Sequence, residues 1–234
     1  TLYPREPMGA GGENVRCVTG ERPYAFVGDL HGRVKLLQTI LERDPTGKYH
    51  YVFLGDTIHA KPYFRHNKRC SPIKVLRIIH ALISDGRGTL ILGNNENYVL
   101  DSLILPVQNV KKKELKYTLE CLRELPLSER LEYISMLSNA PTHVELCGKY
   151  RLAHAYYPHE GQDVPRDTVM YGPGYAWFRD HDLAGRHLID PAYTYFFGHY
   201  GLPYRHQNVN IIDATSLEAT GVYYTDRDES VVYY

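Results

Sequence analysis

The chain is 234 residues long, enough for one domain with a full core and short for two. Its 27 basic and 27 acidic residues cancel to zero net charge, which excludes a chain held on nucleic acid or an anionic membrane by bulk charge. A hydrophobic fraction of 43% with 23% charged residues excludes wholesale disorder, and the unusual counts are 12 histidines and 21 tyrosines.

No stretch approaches the roughly 20 apolar residues that span a bilayer. Residues 1–22 read as an N-terminal extension rich in proline, glycine and charge, without the apolar centre of a signal peptide, ahead of a single domain over 23–234. Cys17, Cys70, Cys121 and Cys147 are scattered with no CxxC spacing. This predicts four ordinary thiols in a reducing, cytoplasmic setting.

Pro23–Gly28 is an apolar run that predicts a first strand, followed by a turn at His31-Gly32. Val34, Leu37, Ile40 and Leu41 then recur at helical spacing. Tyr51–Leu54 predicts a second strand. Ser71–Ile83 predicts a helix with Ser71 as N-cap and Pro72 in its first position, and Thr89–Leu92 a third strand. Alternation of strand and helix at this spacing implies parallel pairing. Lys111–Glu124 and Leu127–Leu137 read as two helices split by Pro126, a helical insertion over about 108–138, with Lys111-Lys112-Lys113 as its solvated start. Strands are then predicted at His143–Leu146, Tyr150–Ala155, Tyr193–Phe197, Val209–Ile212, Gly221–Thr225 and Val231–Tyr234. Much of the tyrosine excess lies here and reads as sheet packing.

The polar residues at the strand ends carry the chemistry. The first three strands end in Gly28-Asp29-Leu30-His31-Gly32, Gly55-Asp56 and Gly93-Asn94. In a parallel sheet these ends share one rim, so the three loops converge. His154 and His199 close two later strands in the same way. Carboxylate, imidazole and amide oxygen together suit a hard or borderline divalent ion, and six such residues suffice for two ions sharing one carboxylate.

The ordered blocks GDLHG, GD, GNNE, a strand-end His and GH resemble the calcineurin-like metallophosphoesterases, and within them the serine/threonine phosphatase branch of bacteriophage and bacterial type. The resemblance runs from about Pro23 to the C-terminus. It implies an α/β fold of two mixed β-sheets packed as a sandwich and flanked by helices. It further implies one metal on Asp29, His31 and Asp56, and a second on Asp56, Asn94, His154 and His199. The two divalent ions, manganese first and iron or zinc as alternatives, would activate water for attack on a phosphoester. The implied partner is a phosphorylated substrate, phosphoprotein or nucleotide-like, with no membrane and no charge-based support for nucleic acid.

Two blocks depart from the family pattern. Where the family reads GDxVDRG this chain reads Gly55-Asp56-Thr57-Ile58-His59-Ala60-Lys61, and where it reads GNHE this chain has Gly93-Asn94-Asn95-Glu96. The family's leaving-group histidine is Asn95, and its partner aspartate is His59. The expectation is that His59 and Asn95 still touch and that His59 supplies the proton. Alaninе at position 60 removes the family's phosphate-gripping arginine; Arg65 and Arg69 in the basic stretch that follows, and Arg179 or Arg186 later, are the candidate replacements. Met170–Phe178 reads as a glycine-hinged aromatic loop. Phosphomonoester hydrolysis is the leading expectation. The alternatives are a nucleotide or dinucleoside polyphosphate hydrolase, a phosphodiesterase, and a weakened protein that binds metal or phosphate without turnover.

Overall fold

The computed structural model describes residues 22–59, 70–104, 115–158, 164–172 and 190–234. Among these residues ten strands form two five-stranded sheets. The first joins β1 (Tyr24–Val27), β2 (His50–Phe53), β3 (Gly88–Leu90), β9 (Thr220–Tyr224) and β10 (Glu229–Tyr233) in the order β10-β9-β1-β2-β3. The second joins β4 (His143–Leu146), β5 (Tyr150–Ala153), β6 (Thr194–Phe197), β7 (Tyr204–His206) and β8 (Val209–Ile211) in the order β4-β5-β6-β8-β7. Both are mixed: β1, β2 and β3 run parallel and β9 antiparallel to β1, while β5, β6 and β8 run parallel between antiparallel β4 and β7.

Period-two alternation sorts each strand of the first sheet between two cores. Ala25, Val27, Tyr51 and Phe53 meet α1 (Val34–Glu42) and α2 (Pro72–Ser84) through Leu37, Ile40, Val75 and Ile79. Tyr24, Phe26, Val52 and Leu54 face the other sheet and pack on Val144, Leu152 and Phe196. The seam between the sheets is aromatic, with Phe196 at 4.9 Å from Phe26 and 4.4 Å from Tyr223 between ring centroids. Tyrosine packing in the sheets is therefore as expected, and buried phenols find acceptors: Tyr51 donates to Asp44 Oδ2 at 3.1 Å and Tyr200 to the Ala155 carbonyl at 2.6 Å.

The helices sit where apolar spacing placed them. Ser71 caps α2, its hydroxyl accepting from the Lys74 amide at 3.4 Å. A further group, α3 (Asn94–Ile104), α4 (Lys116–Arg123) and α5 (Leu127–Ser138), clusters Val99, Leu119, Leu122 and Tyr133 around Leu76 and Ile58. Ile58 is fully buried there, so this cluster anchors the loop after β2. Asn94 does not end a strand: β3 stops at Leu90 and Asn94 is the first residue of α3. The short elements α6 (Arg166–Tyr171) and β7 were not expected, because six and three residues are too few to show a period. The Lys111–Lys113 run lies outside the described residues. No described helix is long and apolar enough to cross a membrane.

The cysteines need a correction. Cys70 and Cys121 are free, but Cys147 is disulfide-bonded. Pairing depends on how close the fold brings two Cα atoms, which scattered spacing does not encode.

The aromatic seam sets a stability test. Phe196 is fully buried against both sheets. Its replacement by alanine should cost about 3–5 kcal/mol in a urea unfolding titration, with an unchanged slope if the two sheets still unfold together.

Candidate metal centre

The site is built where the carboxyl ends of β1, β2, β5 and β6 meet along one edge of the sandwich. The loops after β1 and β2 are zipped together: the Leu30 and His31 amides donate to the Asp56 carbonyl at 3.2 and 2.9 Å, and the Gly32 amide to Thr57 at 2.7 Å. The second sheet joins them through the His199 amide, which donates to Asp29 Oδ1 at 3.0 Å, while within that sheet the Gly198 amide donates to the His154 carbonyl at 2.9 Å and ties the two histidine-bearing strand ends together. His31, Asp56 and His199 all adopt left-handed backbone, with φ of 48°, 48° and 67°. Such a conformation costs a non-glycine residue about 1–3 kcal/mol and persists only where the surroundings dictate it. Glycine is required beside them by space: a Cβ on Gly198 would lie 2.3 Å from Asp29 Oδ1, and one on Gly93 2.3 Å from the Asp56 amide.

Two groups of side chains converge. The ligand atoms of Asp29, His31 and Asp56 lie within 4.8 Å of one another, and so do those of Asp56, His154 and His199. Asp56 belongs to both and divides its oxygens between them: Oδ2 is 3.9 Å from His31 Nε2, and Oδ1 is 3.4 Å from His154 Nε2. His31 Nε2 is also 3.6 Å from Asp29 Oδ2. Asn94 adds its Oδ1 at 2.9 Å from His154 Nε2 and 3.0 Å from His199 Nδ1.

The tautomers follow from the other ring nitrogens. His31 Nδ1 is 2.8 Å from the His59 carbonyl and His154 Nδ1 is 2.6 Å from the Leu54 carbonyl. A carbonyl only accepts, so each Nδ1 carries the hydrogen and each Nε2 turns a lone pair into the site. His154 Nε2, His199 Nδ1 and Asn94 Oδ1 thus crowd to 2.9–3.2 Å of one another. Lone pairs gathered this closely, beside a shared carboxylate, are arranged for a cation, so the residues present fit the metals that the sequence implies.

Electrostatics agree. Asp29, Asp56, Glu96 and Asp213 are all buried. Burial, then the charge of Asp56, pushes the Glu96 carboxyl above its usual range, and burial pushes His154 down toward the neutral, ligating form. Arg33 is a buried cation close by; it donates to the carbonyls of Leu30, Asp29 and Ala219 at 2.8, 2.9 and 3.0 Å.

Six expected residues, Asp29, His31, Asp56, Asn94, His154 and His199, therefore come together. Asn95 is turned toward Asp56. The Asn95 amide group donates to Asp56 Oδ2, its backbone amide donates to Asp56 Oδ1 at 2.9 Å, and its Oδ1 accepts from Asn94 at 3.4 Å. His59 is buried with its ring centroid 6.2 Å from that of His31. Arg65, Arg69, Arg179 and Arg186 lie outside the described residues, as does most of the Met170–Phe178 loop.

The sequence motifs assign no role to Glu96, Arg33 and Asp213. Glu96 accepts from the Asp56 amide (2.8 Å), the Thr57 amide (2.6 Å) and the Thr57 hydroxyl (2.8 Å), fixing the turn that aims Asp56. Its place in the GNNE block was the available signal. Arg33 directly follows GDLHG, and Asp213 accepts from the amides of Gly201 and Thr215, pinning the His199 loop. Nothing in local spacing marks Asp213.

These positions separate in a metal titration. Glu96→Ala should weaken manganese binding at both candidate groups about ten- to hundredfold, since Asp56 belongs to each. Arg33→Met should weaken chiefly the step that uses Asp29 and His31. Calorimetry of the metal-free chain with manganese distinguishes the two patterns.

Comparison with known proteins matches this picture. No curated protein matches the sequence. Among solved structures, the chain is similar to a "putative diadenosine tetraphosphatase" (TM-score 0.62, 17% identity, covering 93% of this chain and 96% of that one). It is also similar to a cold-active protein-tyrosine phosphatase of a psychrophilic Shewanella species (TM-score 0.54, 14% identity, 91% and 78%). A third is a protein serine/threonine phosphatase from Saccharomyces cerevisiae with similarity to human phosphatase PP5 (TM-score 0.50, 15% identity, 88% and 73%). At these identities the likeness shows the fold. Residues 22–228 match the calcineurin-like phosphoesterases, so the chain belongs to that family and is a metal-dependent phosphoesterase.

Proposed function

We propose that the chain hydrolyses phosphomonoesters at a dinuclear centre, with Asp29, His31 and Asp56 on one ion and Asp56, Asn94, His154 and His199 on the other. The observation that carries this is Asp56, one carboxylate whose two oxygens face different histidines. When bound, a divalent pair draws charge from the phosphoryl oxygens and acidifies water. The chain's own part is orientation. His31 and His154 are oriented with Nε2 inward by their carbonyl bonds, Asp56 is aimed by Glu96 and steadied by Asn95, and Asp29 is tied to the His199 loop. The mixed carboxylate, imidazole and amide set makes manganese the first ion to try. The substrate class is a phosphorylated serine or threonine or a nucleotide-like ester. His59, buried beside His31, is the candidate proton donor to the leaving oxygen. The cytoplasmic location loses the support of four free thiols, because Cys147 is disulfide-bonded.

A second reading, hydrolysis of nucleotide or dinucleoside polyphosphates, is favoured by Asn95. A carboxamide bonded to Asp56 donates no proton to a leaving group, and a phosphoanhydride needs none.

The manganese-loaded chain should hydrolyse p-nitrophenyl phosphate and lose that activity with a chelator or with Asp56→Asn. Background rates on p-nitrophenyl phosphate, a phosphoserine peptide and a dinucleoside tetraphosphate, with two ions bound, would instead establish a binding protein. His59→Ala should slow the phosphoserine peptide at least tenfold more than p-nitrophenyl phosphate, because an acid matters most to a basic leaving group. Equal losses on both substrates would remove His59 from the reaction.

A further inference from the structure

The loop that carries His199 leaves the end of β6 and is held at three points among the described residues. Its Gly198 amide donates to the His154 carbonyl at 2.9 Å. The Tyr200 hydroxyl donates to the Ala155 carbonyl at 2.6 Å, one residue past His154. The third hold comes from the buried Asp213, just beyond β8. Its carboxylate is divided: Oδ2 accepts from the Gly201 amide at 2.5 Å, and Oδ1 from the Thr215 amide and hydroxyl at 2.8 and 2.5 Å. The Ser216 amide closes the same contact by donating to the Gly201 carbonyl at 2.8 Å. Space is tight there: Gly201 sits at φ 79°, and a Cβ on it would lie 2.7 Å from Ser216 Oγ. His199, at φ 67°, adopts a backbone that only its surroundings can dictate. So held, its amide is aimed at Asp29 Oδ1 and its Nδ1 at Asn94 Oδ1, each at 3.0 Å.

We propose that Asp213 is a positioning residue for the ion assigned to Asp56, Asn94, His154 and His199, acting through the His199 backbone; this rests on the dinuclear reading above. Both carboxylate oxygens are engaged by the loop, and Asp213 belongs to neither group of converging ligand atoms, which separates it from the ligands. An ionised carboxylate bonded to backbone amides fixes a turn more firmly than a neutral acceptor would. Ligand atoms fixed in this way lose less freedom when an ion binds, so affinity rises. The charge of Asp213 also acts on the His154 ring in the sense that favours a positive centre there. Both effects fall on the side of His154 and His199. The Asp29 side has its own support in Arg33, whose bonds go to the Leu30, Asp29 and Ala219 carbonyls. The two ion positions are therefore tuned by different residues, although they share Asp56.

The experiment is a manganese titration of the metal-free chain, read by calorimetry and by electron paramagnetic resonance. The wild-type chain should bind two ions and pass from the spectrum of an isolated ion to that of a spin-coupled pair. Asp213→Ala should still take one ion with near wild-type affinity but bind the other about ten- to hundredfold more weakly, so the coupled spectrum appears only at higher manganese. Combined with Arg33→Met, it should weaken both. Thr215→Ala removes one of the three donors to Asp213 and should shift the same ion by a smaller factor, while Thr215→Ser should preserve wild-type binding. The role of Asp213 is overturned if Asp213→Ala binds both ions as the wild type does, or weakens both alike, as a general loss of packing would. If Asp213→Ala does not fold, the Thr215 variants decide, and equal behaviour of the alanine and serine variants overturns the assignment. A wild-type chain that binds fewer than two ions would sink the dinuclear reading itself, and the role of Asp213 with it.

Discussion

The arrangement turns on the Asp56 carboxylate, held in a left-handed turn with one oxygen toward each histidine group. Little about that posture is locally favourable. Its φ of 48° is strained for a side chain with a Cβ, and its carboxylate is buried near Asp29 and Glu96. It persists because its neighbours satisfy it from every side: Glu96 and Asn95 hold the residue, while its carbonyl receives the amides of the Asp29–His31 loop. Remove that network and the two candidate metal positions lose their common member.

The flat overall charge acquires a local meaning here. Buried carboxylates gathered at one sheet edge are costly without compensation. Arg33 supplies one permanent positive charge on the Asp29 side, spent on three carbonyls rather than on a substrate. A site built in this way is a strong receptor for cations, with affinity set by the bonds that hold its oxygens and nitrogens in place.

Rigid backing makes that precision sustainable. The sheets meet through Phe26, Phe196, Tyr150 and Tyr223, and their edges carry ligands from both sides of that seam. Parallel pairing of β1 with β2 and of β5 with β6 puts Asp29 beside Asp56 and His154 beside His199. The helical cluster around Ile58 completes the support from the opposite flank. Tyrosine, abundant throughout, fits this architecture because its ring packs like an apolar residue while its hydroxyl reaches an acceptor at the layer boundary.

Elements with long periods, and the residues that end them, are legible in the chain alone. The helix patterns from Val34 and Ser71, the alternation of Tyr24–Val27, and the glycine-flanked Asp29, His31, Asp56 and Asn94 are local features, readable because side-chain direction follows backbone period. Tertiary structure decided what depends on distance across the chain. It bonded Asn95 to Asp56, recruited Glu96, Arg33 and Asp213 as supports, and joined Cys147 in a disulfide. It also brought Tyr98 of α3 against Tyr171 of α6. Asn95 and Asp56 are 39 residues apart and Arg33 and Ala219 are 186 apart, and geometry of that kind is fixed only when the chain closes on itself.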